Sequence, residues 1–332
     1  MKNKWTICSI GAGRMGRGIA HAFAYAGFPV QLVDLKAREK DATRALEEQA
    51  FGEIRSNLAV LAALGMFSES QIEHVLARIS FVPAERIAEE LPKADFVFEG
   101  VPERIDAKRE AFSATVPHLR DDVVIASTTS TILSTELAKH VDHPERFLNA
   151  HWLNPAFLIP LVELSPHAGT DERTVKRLYD LLRGIGKVPV RCAAEPGYII
   201  PRFQTLIMLE AARMIEQGTA TAEDIDKATR FGFGIRYAGM GVVEFIDFGG
   251  NDTLYNASNY LADSLQADRY RPPEIVSTLM KEGRNGLRDG RGFYDWAGRD
   301  IDRYRHDVMQ RLVNLLRLQD CLPVPADDEV DQ

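Results

Sequence analysis

From residue 4 to about residue 193, short apolar runs alternate with stretches whose apolar positions recur every three or four residues. The runs "WTICSIG", "FPVQLVD", "ADFVFEG", "DDVVIAS", "RFLNAHW", "IPLVELS" and "KVPVRCA" have the length of β-strands. Stretches between them, such as 103–118 and 171–184, carry the helical period. Strands alternating with helices predict βαβ units and an α/β fold with a mostly parallel, doubly wound sheet. The interval 37–78 is longer than an ordinary crossover. Within it "SESQIEHVLARI" (68–79) opens with Ser68 and Gln71 at capping-box spacing, which predicts a helical excursion. After "EPG" (195–197) the texture changes. "YIIPRFQTLIMLEAARMIEQG", "TAEDIDKATRFGFG" and "IDRYRHDVMQRLVNLLRLQD" all read as helices, and no convincing strand follows. A first domain over 1–193 and a mostly helical second one over 196–332 are expected.

Composition narrows the class. Of 332 residues, 45% are hydrophobic and 27% charged, ordinary for a globular chain long enough for two cores. A net charge of −8, without basic clusters, argues against a nucleic-acid partner. Cys8, Cys192 and Cys321 stand far apart, so neither a disulfide framework nor a structural metal site is expected, and a reducing cytoplasm suits them. No apolar run approaches the ~18 residues of a membrane span. The acidic end "ADDEVDQ" reads as a frayed, solvated tail.

"SIGAGRMGRGIAHAFAYAGF" places Gly11, Gly13 and Gly16 as GxGxxG, with Arg14 and Met15 between them, where a strand meets a helix. Such a turn lets a pyrophosphate approach the backbone at a helix N-terminus. The second strand ends at Asp34, where an acid should hold the adenosine ribose hydroxyls. A Rossmann-like dinucleotide site follows. Asp34 would repel a 2′-phosphate, which favours NAD over NADP; Lys36 and Arg38 nearby read as solvated residues of the next helix.

A dehydrogenase acting on an alcohol needs a base for the hydroxyl proton, and histidine is the usual one at neutral pH. Most of the eight histidines lie in helical patterns or polar loops. His151 differs: it lies at the carboxyl end of a strand, the edge where doubly wound sheets bind ligands. In "NAHWLNPAFLIPLVEL", Glu163 follows inside an otherwise apolar run, where an unpaired carboxylate would be costly. A return of the chain would bring the two together, either as a catalytic base with its orienting partner or as a structural pair closing a loop.

These segments resemble the 3-hydroxyacyl-CoA dehydrogenases. "GAGRMGRGIA", "FEGVPERIDAKREAF", "IASTTSTI", "HWLNPAFLIPLVEL", "EPGYIIPR" and "GLRDGRGFYDW" fall in that family's order and spacing, up to about residue 296. The resemblance implies that His151 is the general base, Glu163 its partner and Ser130 a hydroxyl binding the reacting oxygen. Asn154 would lie beside nicotinamide and substrate, and Glu103 and Lys108 would contact the cofactor. It also implies an L (S) alcohol and a homodimer built through the helical domain. A non-catalytic, crystallin-like role is the reading that Pro201 keeps open. The 3-hydroxyisobutyrate type, with its catalytic lysine, is set aside because no lysine occurs from residue 195 to 226.

Two departures bear on the substrate. Pro201 replaces the asparagine of the family's "PGFIVNR" pattern and offers no side-chain amide; Gln204, on the same helix face, is the expected substitute. "GFGIRYAGMG" (232–241) is longer than the family's usual turn and looks like that of the gulonate and carnitine dehydrogenase branches, which act on free 3-hydroxy acids. The stretch 49–78 offers a CoA tail only Arg55 and Arg78. Arg236 would instead pair a substrate carboxylate, or else anchor its loop to an acidic neighbour. A small free 3-hydroxy acid is therefore expected ahead of its CoA thioester.

Overall fold

The computed structural model describes residues 5–322; the acidic end therefore lies outside the described residues. It divides into two compact units that meet along the chain between Met208 and Leu209.

The first unit is built on one eight-stranded sheet. In chain order its main elements are β1 (Ile7–Ile10), α1 (Arg14–Tyr25), β2 (Val30–Val33), α2 (Lys40–Ala63), β3 (Ile79–Val82), β4 (Phe96–Glu99), α3 (Ile105–Thr115), β5 (Val124–Ser127), β6 (Phe147–Trp152), β7 (Leu161–Pro166), α4 (Glu172–Gly184), β8 (Val188–Arg191) and α5 (Ile200–Glu216), whose last turns belong to the second unit. The strand order is β3-β2-β1-β4-β5-β6-β7-β8. Every pairing is parallel except β6 with β7. This is the doubly wound sheet that the alternating pattern predicts.

Successive strand residues point to opposite faces, so the strands feed two cores. One holds Phe98, Leu148, Ala150 and Trp152 against Phe23 of α1, Ile54 of α2 and Leu178 of α4. The other holds Ile10, Val97, Ile125 and Phe147 against Phe112 of α3. Both faces being covered explains why the strands read as continuous apolar runs.

The helical excursion between β2 and β3 is real, but α2 makes most of it. The Ser68 capping box does not form: Gln71 N donates to the Ser68 carbonyl at 2.9 Å in a 3-10 turn, and Ser68 Oγ meets Ser70 Oγ. Only Ile72–Leu76 follows as α-helix. The strand β3, at the sheet edge, was not expected. Its four residues directly follow that helical pattern and carry too short a signal to separate from it.

The second unit, taken by itself, is helical, as the sequence after "EPG" predicts. Asp247, 1% exposed, fastens its "GRGFYDW" segment by accepting hydrogen bonds from Phe293 N, Tyr294 N and Trp296 Nε1 at 2.8–2.9 Å. Among the described residues no helix is long and apolar enough to cross a membrane.

Candidate active site

β1 leads directly into the glycine turn at the sheet's switch point, between β2 and β4. Gly11 has φ of 97°, open to glycine alone, and a Cβ there would stand 3.0 Å from the Gly100 carbonyl oxygen. A Cβ on Gly16 would lie 1.9 Å from the Gly11 oxygen, so α1 can approach the turn only because that position is glycine. Gly13, the N-cap of α1, faces open space. Arg14 lines the same cleft as Gly11, Gly13 and Asp34, while Met15 faces the neighbouring one. Asp34 stands just past β2 and is buried. Arg38 is not simply solvated: its Nε lies 2.6 Å from the Asp34 carboxylate. Lys36 is exposed and lines the cleft. A helix N-terminus at one end and a carboxylate at the other fit a dinucleotide.

Glu99 and Glu103 of the motif "FEGVPER" share a charge network with Lys108 beside this cleft. Lys108, 1% exposed, places its ammonium 3.0 Å from both oxygens of Glu99, which is fully buried. It also reaches Glu103 at 3.5 Å. Glu103 in turn accepts hydrogen bonds from Thr129 Oγ1 and from the Ser130 and Thr131 amides, both at 2.9 Å. Burial pushes the Glu103 carboxyl up, but hydrogen bonds from Thr129 and Thr131 and the Lys108 ammonium outweigh it and hold it below the usual range. In this structure, then, Glu103 and Lys108 fasten the loop that carries Ser130.

His151 and Glu163 are direct cross-strand partners in the antiparallel β6/β7 pair. His151 Nδ1 lies 2.8 Å from Glu163 Oε2, and Glu163 is fully buried. The other oxygen, Oε1, accepts the Ile199 and Ile200 amides at 2.8 and 2.9 Å, at the start of α5. Burial raises the Glu163 carboxyl, yet the bonds from His151, Ile200 and Ile199 prevail and hold it below the usual range. An ionised carboxylate only accepts, so Nδ1 carries the proton, which in a neutral ring leaves the lone pair on Nε2. The cleft here is lined by Met15, Ser130, His151, Asn154, Pro201 and Gln204. Pro201 sits in the first turn of α5, where a missing N–H costs little. Arg236 belongs to the second unit. It is exposed, with its guanidinium 5.7 Å from the Phe245 ring centre, and among the described residues no carboxylate pairs with it.

Three site residues were not anticipated from sequence. Tyr198 stacks on His151, ring centres 5.4 Å apart at 22°. Its hydroxyl donates to the Thr129 carbonyl at 3.1 Å and accepts from Asn149 Nδ2 at 2.9 Å. Its φ of 43° is unusual for a bulky residue and marks a constrained position. Asn149, two residues before His151 on the same strand face, was legible by period; Tyr198 was legible only as the residue after an invitingly flexible "PG". Glu99, the third, stood out only as a carboxylate closing an apolar strand.

Residues 6–195 match the family model for the 3-hydroxyacyl-CoA dehydrogenase NAD binding domain, and 197–296 that for the family's C-terminal domain. The chain belongs to the 3-hydroxyacyl-CoA dehydrogenase family. It is 34% identical to the 3-hydroxybutyryl-CoA dehydrogenase of Bradyrhizobium diazoefficiens over 87% of this chain and 94% of the other. It is 29% identical to the 5-formyl-3-hydroxy-2-methylpyridine 4-carboxylate 5-dehydrogenase of Mesorhizobium japonicum, over 94% and 97%. A crystal structure of a 3-hydroxyacyl-CoA dehydrogenase from Archaeoglobus fulgidus superimposes with a TM-score of 0.74 at 30% identity, covering 96% of this chain and all of the other. As a member of this family the protein is an oxidoreductase whose cofactor is NAD.

Proposed function

We propose that the protein oxidises the 3-hydroxyl of a small L-3-hydroxy carboxylate to the 3-oxo compound, reversibly. The observation that carries this reading is the His151–Glu163 pair opening on a cleft shared with Ser130 and Asn154. His151 takes the hydroxyl proton at Nε2, and Glu163 stabilises the imidazolium that forms. Ser130 holds the reacting oxygen, and Asn154 orients the substrate. The glycine turn at 11–16 and Asp34 would hold NAD, which would supply the hydride acceptor for C3. Gln204, one turn beyond Pro201, supplies the amide that the proline lacks, and Arg236 pairs the substrate carboxylate.

Several features favour the free acid. Both cations that a CoA tail would find in 49–78 are engaged within the protein, Arg55 with Glu73 and Arg78 with the Ala24 carbonyl. Arg236, by contrast, has no carboxylate partner among the described residues. The Mesorhizobium relative is named for a carboxylate substrate without CoA. A second reading, the CoA thioester, draws support from the name of the Bradyrhizobium relative and from the "GRGFYDW" segment, which looks like that of the family's acyl-CoA branch.

Initial rates of NAD reduction with L-gulonate, carnitine, 3-hydroxybutyrate and 3-hydroxybutyryl-CoA decide between them. One of the free acids should exceed the thioester in kcat/KM. Arg236→Ala should then lower that acid's kcat/KM by about 30- to 150-fold, the worth of a charge-assisted pair, and leave the thioester nearly untouched. Turnover of the thioester alone would establish the second reading. For the assembled protein we propose a homodimer through the helical domain.

A further inference from the structure

Lys187 stands between α4 and β8, outside both clefts, and is 7% exposed. Burying an ammonium is costly unless its donors are met, and burial lowers this one to about 8. No carboxylate among the described residues pairs with it. Its partners are instead two carbonyls of one loop, Ala156 at 2.6 Å and Ile159 at 2.7 Å. That loop, 153–160, joins β6 to β7 and carries Leu153, Asn154 and Ile159 into the His151 cleft. The ammonium also lies 5.3 Å from the ring centre of Trp152, the residue after His151.

α1 grips the loop as well. His21 stacks on Phe157 with ring centres 4.3 Å apart, and a Cβ on Gly18 would stand 3.0 Å from that of Ala156. Within the loop, the Leu158 and Ile159 amides both donate to the Pro155 carbonyl, at 3.0 and 2.9 Å. The Ala156 and Ile159 carbonyls instead accept from Lys187. One amine thus ties the two ends of the turn into a single body.

We infer that Lys187 is a positioning residue: its ammonium fixes the 153–160 loop and, through it, the place of Asn154 beside the reacting carbon. The inference rests on the role proposed above for Asn154. Lys187→Met keeps the length and apolar contact of the side chain and removes the donors. It should lower kcat/KM for the hydroxy substrate by about 10- to 100-fold while the Kd for NAD changes less than about twofold.

A double-mutant cycle separates action through the loop from general damage. In an Asn154→Ala background, Lys187→Met should cost less than about threefold further. A full multiplicative loss there, or a wild-type rate for the single variant, would overturn the inference. If Asn154→Ala alone had no effect, the proposed role of Asn154 would fall, and with it this route to catalysis. The grip on the loop is read separately in the unaltered protein, by amide exchange at Leu158 and Ile159. Protection comparable with that of β6 is expected; exchange at the rate of an open loop would overturn the clamp even if Lys187→Met did not fold.

Discussion

A carboxylate without a proton decides the chemistry of the imidazole facing it. Because Glu163 is held ionised and spends its other oxygen on two α5 amides, His151 is left with one tautomer and one orientation. On the proposed reading, His151→Ala should lower turnover by at least about 10²-fold and leave NAD binding, measured by titration, near the wild-type value. Glu163→Gln should also reduce turnover, because an amide can hold the wrong tautomer. A change in thermal stability alone would mark the pair as structural. Both residues were legible in the sequence for opposite reasons: His151 by its place at a strand end, Glu163 by being a charge where none is comfortable. Lys187 was not legible, because a lysine between a helix and a strand looks like any solvated one. Only the loop carbonyls in space reveal what it holds.

Single helices and strands were predictable where their period ran long enough. α1, α4 and the helix Ile301–Leu318 follow their apolar stripes, and Asp171 caps α4 as such a residue should, accepting from Arg173 N at 2.8 Å. β3 escaped because four residues after a helical stripe do not break its period visibly. α1 carries a further consequence of its burial. His21 is 1% exposed, and neither ring nitrogen has a hydrogen-bond partner among the described residues. Burial, aided by the Lys187 ammonium, lowers it from 6.5 to about 4. The folded state therefore resists a proton that the unfolded chain accepts, and stability should fall as pH drops from about 6.5 to about 4, by on the order of 3 kcal/mol in total. His21→Phe keeps the stack on Phe157. Denaturant titrations at several pH values should show it at least as stable as wild type at neutral pH and less sensitive to acid across that window. An unchanged acid slope would assign the loss to other groups.

At the scale of the whole molecule, the sequence changes texture near residue 196, while the structure divides into its two compact units between Met208 and Leu209; the assembly is not written in any single motif. α5 exposes Leu206, Ile207 and Met208, and the second unit exposes Tyr260, Leu261 and Leu265. So much apolar surface is unusual for a free monomer. Sedimentation velocity at micromolar concentration should give a dimer, and Tyr260→Glu with Leu265→Glu should shift it towards monomer; a monomeric wild type would refute the proposed homodimer. The β6/β7 hairpin carries another consequence. Its strands hold His151 opposite Glu163 by register, while the loop between them carries Asn154. A slip of one residue in register would turn the two side chains to opposite faces, but a change in the loop leaves the strands paired. On the proposed reading, the pairing that orients the base is therefore set by strand register, and the loop can vary in sequence without unpairing it.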